Sequence, residues 1–233
     1  MLISVVATAA ALPLLIIYVA EKIKRFSLKG VFLKTAVSLL FILTAIGGGI
    51  SSGSTVYPYL VIAGLVFGMT GDIWLDLKYV FPEKDIPFTY AGFTVFGIGH
   101  VFFVAAMLSA FGGPDDSLLC ALPVAAAVLI TIAVLAMEKP MKLRYGSFRP
   151  VVAAYSMLLF STALWAGFLI FCSAGDQPAL WFMLAGGISF ALSDLVLSGT
   201  YFGKDHDKPA DIILNYIFYY LGQFLIAWSV MFV

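Results

Sequence analysis

Leu65-Val66-Phe67-Gly68-Met69-Thr70-Gly71-Asp72-Ile73-Trp74-Leu75-Asp76 is the stretch that decides the class of this chain. It lies late in an apolar run, and Asp72 ends a charge-free segment that begins after Lys34. A carboxylate inside a bilayer costs roughly 3 kcal/mol or more, so an acid in such a run marks a functional site by default. The chain then repeats the arrangement. Leu184-Ala185-Gly186-Gly187-Ile188-Ser189-Phe190-Ala191-Leu192-Ser193-Asp194-Leu195-Val196-Leu197 places a second aspartate after another charge-free run.

The composition around these stretches is that of a membrane protein. Of 233 residues, 62% are hydrophobic and 11% charged, whereas a soluble domain carries roughly 25% charged residues. The expected fold is all-α and polytopic, one integral membrane domain over 1–233. The net charge of zero gives no basic surplus for nucleic acid. Two Cys and two His leave no cluster of the kind that holds zinc. Any metal would need carboxylates with His100 or His206, and no metal or cofactor is expected. Met1 to Ala20 is apolar with no basic residue before it and a basic cluster after it, which reads as a first spanning helix rather than a cleavable signal peptide.

About 20 apolar residues cross a bilayer as a helix. Windows of that length fall at 2–20, 31–51, 57–80, 88–111, 117–137, 150–173, 178–200 and 212–233, which predicts eight spans. Turn residues mark the breaks at Gly47-Gly48-Gly49 to Pro58, Phe81-Pro82 to Pro87, Gly112-Gly113-Pro114, Pro140, and Gly175 to Pro178. All 13 basic residues fall in the odd-numbered connections: Lys22, Lys24, Arg25, Lys29 and Lys34; Lys78 and Lys84; Lys139, Lys142, Arg144 and Arg149; Lys204 and Lys208. The even connections carry only Asp115, Asp116 and Asp176. Lys/Arg bias in short loops sets orientation, so the odd connections are expected in the cytoplasm and both termini outside. Cys120 and Cys172 would both lie near the outer surface, where two separate apolar-facing thiols are preferred over a disulfide.

Shifting the chain by 122 positions aligns Ala63-Gly64 with Ala185-Gly186, Asp72 with Asp194, Leu75 with Leu197 and Tyr79 with Tyr201. A shift of 123 aligns Phe96 with Tyr219, Gly99 with Gly222 and His100 with Gln223. The expectation is a 4+4 parallel repeat with halves at 1–115 and 116–233. Helices three and seven then run in the same direction, with their aspartates at similar depth. Positions i, i+4 and i+7 share a helix face. One face therefore carries Asp72, Asp76 and Tyr79, and the other Asp194, Ser198 and Tyr201, and both should meet a shared cavity, since lipid would penalise them.

The acids could instead tie helices together through hydrogen bonds. Such bonds between spanning helices are worth about 0.6 kcal/mol on average, too little to offset two buried acids. Asp76 lies nearer the surface, where solvation is the competing reading. Lys34 is open between snorkelling and pairing with a carboxylate, His100 between interior packing and a site role, and Tyr155 between packing and donating to the cavity. Gln223 lies near mid-span of the last helix, where it too can reach the cavity.

Gly71-Asp72, Gly99-His100, Arg149-Pro150-Val151-Val152 leading to Tyr155, Ser193-Asp194 and Gln223, in this order, resemble the motifs of the YhhN-like family, which includes the lysoplasmalogenases. Lys34 resembles a family lysine at the start of helix two, with Thr35 where a proline is expected. The resemblance implies a membrane hydrolase that cleaves the vinyl ether of a lysoplasmalogen, a lysophospholipid, to a fatty aldehyde and a glycerophospho-base. The expected catalytic pair is Asp72 and Asp194, with His100, Tyr155, Gln223, Lys34, Asp76 and Ser193 positioning substrate or water.

The residue chemistry suits that reaction. Protonating the outer alkene carbon of a vinyl ether gives an oxocarbenium ion that water attacks. One acid must donate the proton, and one carboxylate must stabilise the cation and activate water. Neighbouring carboxyls divide into those two forms because they resist double ionisation, and glycosidases divide the work in the same way. The competing class is a proton-coupled transporter, to which intramembrane acids and parallel repeats also belong. A purely structural membrane protein leaves the acids unexplained.

Overall fold

The computed structural model describes residues 1–24, 27–50, 52, 56–113, 117–203 and 208–233. Arg25, Asp115, Asp116, Lys204 and His206 lie outside the described residues. Among the described residues the long elements are all helices: α1 (Leu2–Lys24), α2 (Leu28–Gly49), α3 (Val56–Val80), α4 (Asp85–Phe111), α5 (Ser117–Ala136), α6 (Arg149–Cys172), α7 (Pro178–Phe202) and α8 (Pro209–Ser229). All eight are long and apolar enough to cross a membrane.

Local chemistry sets their ends. Ser27 caps α2 by accepting from the Gly30 amide. Gly112 ends α4 at φ 68°, where a side chain would be strained. Proline opens α6, α7 and α8 in the first turn, where no backbone N–H is needed. Gly47, Gly48 and Gly49, expected in a turn, instead complete α2. They are needed there because a Cβ on Gly47 would lie 2.7 Å from Ser4 Oγ on α1, and one on Gly48 would lie 2.9 Å from Met231 Cγ. α1 runs one turn beyond its apolar window and carries Lys22 and Lys24 into the helix.

Short connections make successive helices alternate in direction, so the odd connections share one end of the bundle, called here the basic end. The tightest partnerships are α3 with α4 and α7 with α8; α2 packs on α3 and α8, and α6 on α4 and α7. α1 and α5 are peripheral: 22% and 17% of their spans are buried, against 39–56% for the other six. α1 rests on α2 and α8, and α5 on α6. Cys120 on α5 and Cys172 at the end of α6 are both free thiols.

Two glycine pairs bring helix backbones together. A Cβ on Gly64 would lie 2.9 Å from the Gly99 carbonyl oxygen, and one on Gly99 2.9 Å from the Gly64 carbonyl oxygen. Gly186 and Gly222 make the reciprocal approach at 3.0 and 2.9 Å. These are the glycines that the 122 and 123 shifts superimpose. In both pairs the crossing sets the depth of the aspartate on the first helix against the polar stripe of the second.

Candidate active site

Asp72 is 1% exposed and accepts three hydrogen bonds. Lys34 Nζ lies 3.0 Å from one carboxylate oxygen. Ser38, one turn along α2 from Lys34, donates to the other at 2.6 Å, and Tyr219 of α8 donates to it at 2.7 Å. Gln223 donates from its amide to the Tyr219 hydroxyl at 3.1 Å, and so fixes a group that itself holds Asp72. The residues Asn215, Tyr219 and Gln223 recur every four positions, which is why one face of α8 is polar.

Asp76 is not solvated. It is 5% exposed and paired with Lys22 at 2.7 Å and Lys34 at 3.5 Å. Tyr18 donates to its second oxygen at 2.9 Å. The Tyr216 hydroxyl lies 2.6 Å from that of Tyr18; a phenol has one proton, so Tyr216 is the donor of this second bond. Lys22, Asp76, Lys34 and Asp72 thus form a buried ladder of alternating charge. Lys34 pairs with both carboxylates rather than snorkelling. Buried charges persist when paired and hydrogen-bonded in this way.

Asp194 has different company. Its hydrogen-bond donor among the described residues is Tyr155 of α6, whose hydroxyl bonds one carboxylate oxygen. It is only partly buried, because it borders two cavities. The smaller, of about 30 Å³, is the more polar of the two and is lined by both Asp72 and Asp194 together with Lys34, Tyr155, Ser193 and Tyr219. Roughly 10–15 Å³ suffices for one water, so it has room for about two. Phe96, Phe190 and Tyr219 pack edge to face beside it, with centroids 5.3 to 6.1 Å apart.

The remaining expected residues divide. Ser193 is buried and ties α7 to α8, accepting from the Asn215 amide at its carbonyl (2.8 Å) and at Oγ (3.3 Å). His100 is 1% exposed but is not in the cavity wall; its Nδ1 lies 2.9 Å from Thr162 Oγ1, and its ring packs on Phe190. The polar stripes of α3 and α7 meet through Asp72, Asp194 and the rings of Tyr79 and Tyr201, 6.4 Å apart. Asp76 turns away toward α1, and Ser198 faces the larger cavity.

Tyr18, Lys22, Ser38, Asn215, Tyr216 and Tyr219 join the network without having been singled out from the sequence. Spacing carries a signal for them: Tyr18 and Lys22, and Lys34 and Ser38, are i, i+4 pairs on one face. The arrangement offers paired carboxyls around a water-sized space, one beside a lysine and one beside a phenol, which is suited to proton transfer.

Searches of curated proteins and of solved structures returned no match. Residues 30–230, which include both aspartates and every residue of the small cavity, match the model of the YhhN family, and the chain belongs to that family.

Proposed function

We propose that this protein is a membrane hydrolase that cleaves the vinyl ether of a lysoplasmalogen-like lysophospholipid. The observation that carries the reading is that Asp72 and Asp194 line one small cavity with contrasting partners. Family membership supports a hydrolase of this class. Asp194, oriented by Tyr155, gives a proton to the outer alkene carbon. Asp72, held by Lys34, Ser38 and Tyr219, faces the oxocarbenium ion as its carboxylate. A water in the cavity adds to the cationic carbon and passes a proton to Asp72. The hemiacetal collapses as its hydroxyl proton moves to the departing glycerol oxygen, leaving aldehyde and alcohol. The proton on Asp72 returns to Asp194 across the cavity, and both groups end as they began.

The test is aldehyde release from a lysolipid panel, followed by mass spectrometry. Asp72→Asn and Asp194→Asn keep the shape and remove proton transfer, so each should lower turnover by about 10²–10⁴-fold. Near wild-type release from both would remove these residues from the mechanism. A wild type that releases no aldehyde but moves protons across vesicles would replace the hydrolase with a transporter, which the buried Lys–Asp ladder also suits.

The one-sided basic residues support a cytoplasmic basic end, with both termini outside. A reporter that is active only in the cytoplasm should stay silent when fused after Val233; activity there would invert the orientation.

A further inference from the structure

The larger cavity, about 220 Å³, exceeds the roughly 150 Å³ that is enough for benzene in an apolar protein cavity. Ile130 and Val134 of α5, Leu159 and Phe160 of α6, and Ala191 and Leu195 of α7 are among its walls. It extends from the basic end, where Met141 and Tyr145 border it, to the depth of Asp194. Tyr155 and Asp194 line this cavity and the polar one alike, so the two spaces adjoin at the proposed proton donor.

Its open side is also defined. α5 packs along α6 and makes no comparable contact with α7. The rim between α5 and α7 carries exposed apolar side chains: Leu195 is 55% and Met137 45% exposed, with Ala133 exposed beside them. In a spanning bundle that side meets hydrocarbon.

We propose that this cavity holds the first carbons of a single lipid chain. The chain enters sideways from the bilayer between α5 and α7, and the bond joining chain to glycerol comes to rest at Tyr155 and Asp194. This rests on the hydrolase reading for what happens at that bond, but not for the binding itself. Lipid is as apolar as the cavity wall, so the hydrophobic effect does not draw the chain in. The cavity's contribution is position: it orients the chain so that its polar end reaches the water-sized space. The distal methylenes remain in the membrane through the open side, so chain length beyond the cavity has little influence on turnover.

The experiment uses wild-type protein in phosphatidylcholine nanodiscs and a non-hydrolysable alkyl-ether lysophospholipid carrying a diazirine near the ether. Irradiation should label peptides of α5 and α7 around Ile130–Val134 and Ala191–Leu195, and excess unlabelled alkyl lysolipid should suppress it. Ala191→Trp on the wall and Ala133→Trp on the rim should each cut labelling and lower kcat/KM by about 10²-fold, the scale of a small misplacement of a reacting bond. Leu12→Trp, on the lipid-facing side of α1, is the control. Label spread evenly over α1 and α5, or normal turnover in both cavity variants, would overturn the chain site while leaving the hydrolase intact. Specific label at α5 and α7 without aldehyde release would support the chain site and defeat the hydrolase.

Discussion

Asp72 and Asp194 stand 122 positions apart on helices of the same direction, yet the spaces beside them are opposites. Between α1, α2 and α3 the volume is filled by Tyr18, Lys22, Lys34 and Ser38, bonded to Asp76 and Asp72. Between α5, α6 and α7 the volume is an apolar cavity. The 122-residue shift sets the two regions side by side. Lys34, Ser38 and Asp76 correspond to Ser156, Phe160 and Ser198, and all three of these line the cavity. Tyr18 and Lys22 correspond to Pro140 and Arg144, which lie beyond α5 because that helix ends at Ala136. By that shift α5 ends ten residues, roughly three turns, before α1 does, so it offers no helical position matching Tyr18 or Lys22. On the proposed 4+4 repeat, one half keeps a plugged, charged core, and the other opens the corresponding space toward lipid.

The plug is the part most easily broken. Lys34→Met strands Asp72 without its cation, and uncompensated buried charge costs roughly 3–5 kcal/mol. A clear fall in melting temperature is expected. Adding Asp72→Asn to Lys34→Met removes the stranded charge and should restore most of the loss. Asp194→Asn, which leaves no lysine unpaired, should melt close to wild type. Equal losses from Lys34→Met and Asp194→Asn would show that the two surroundings are energetically alike, and the contrast would fall.

Catalysis sharpens the comparison next. Asp194 depends on one phenol, whereas Asp72 keeps two donors if one is lost. A hydrogen bond to a charged group is worth about 1.5–3 kcal/mol, or roughly 10–150-fold in rate where the transition state needs it. Tyr155→Phe should therefore lower turnover more than Tyr219→Phe, with both proteins folded. The reverse order would move the vulnerable carboxyl to α3.

The unequal legibility of the two halves has a physical origin. Eight helices can be read because charge-free length is a property of single segments, and the acids stand out because charge is rare inside them. The ladder is harder to see. Lys22 and Lys24 look like loop residues until α1 is found to run a turn past its apolar window. Asp76 gains two of its partners, Lys22 and Tyr18, from α1, 54 and 58 residues away in the chain. The turn expected at Gly47-Gly48-Gly49 reflects the same limit, since glycine signals a turn and a close helix contact with equal force. The cavity is hardest of all, because it is made by side chains that are too short or absent, and no single residue spells it.

The smallest effect should come from the pair that the 123 shift aligns, His100 and Gln223. Gln223 touches Tyr219 and reaches Asp72 only through it. His100 bonds Thr162 and stands outside the cavity wall. Gln223→Met keeps the volume and removes one neutral hydrogen bond, which is worth about 0.5–1.5 kcal/mol. Tyr219 still donates to Asp72, so turnover should stay within about tenfold of wild type. The change should appear mainly in kcat, because Gln223 lies behind Tyr219 and not in the cavity wall. His100→Met should do less still to the rate, with its cost appearing in melting temperature through the unpartnered Thr162 hydroxyl. A loss from His100→Met as large as that from Asp194→Asn would bring the imidazole into the chemistry and extend the site beyond the cavity that the two carboxyls share.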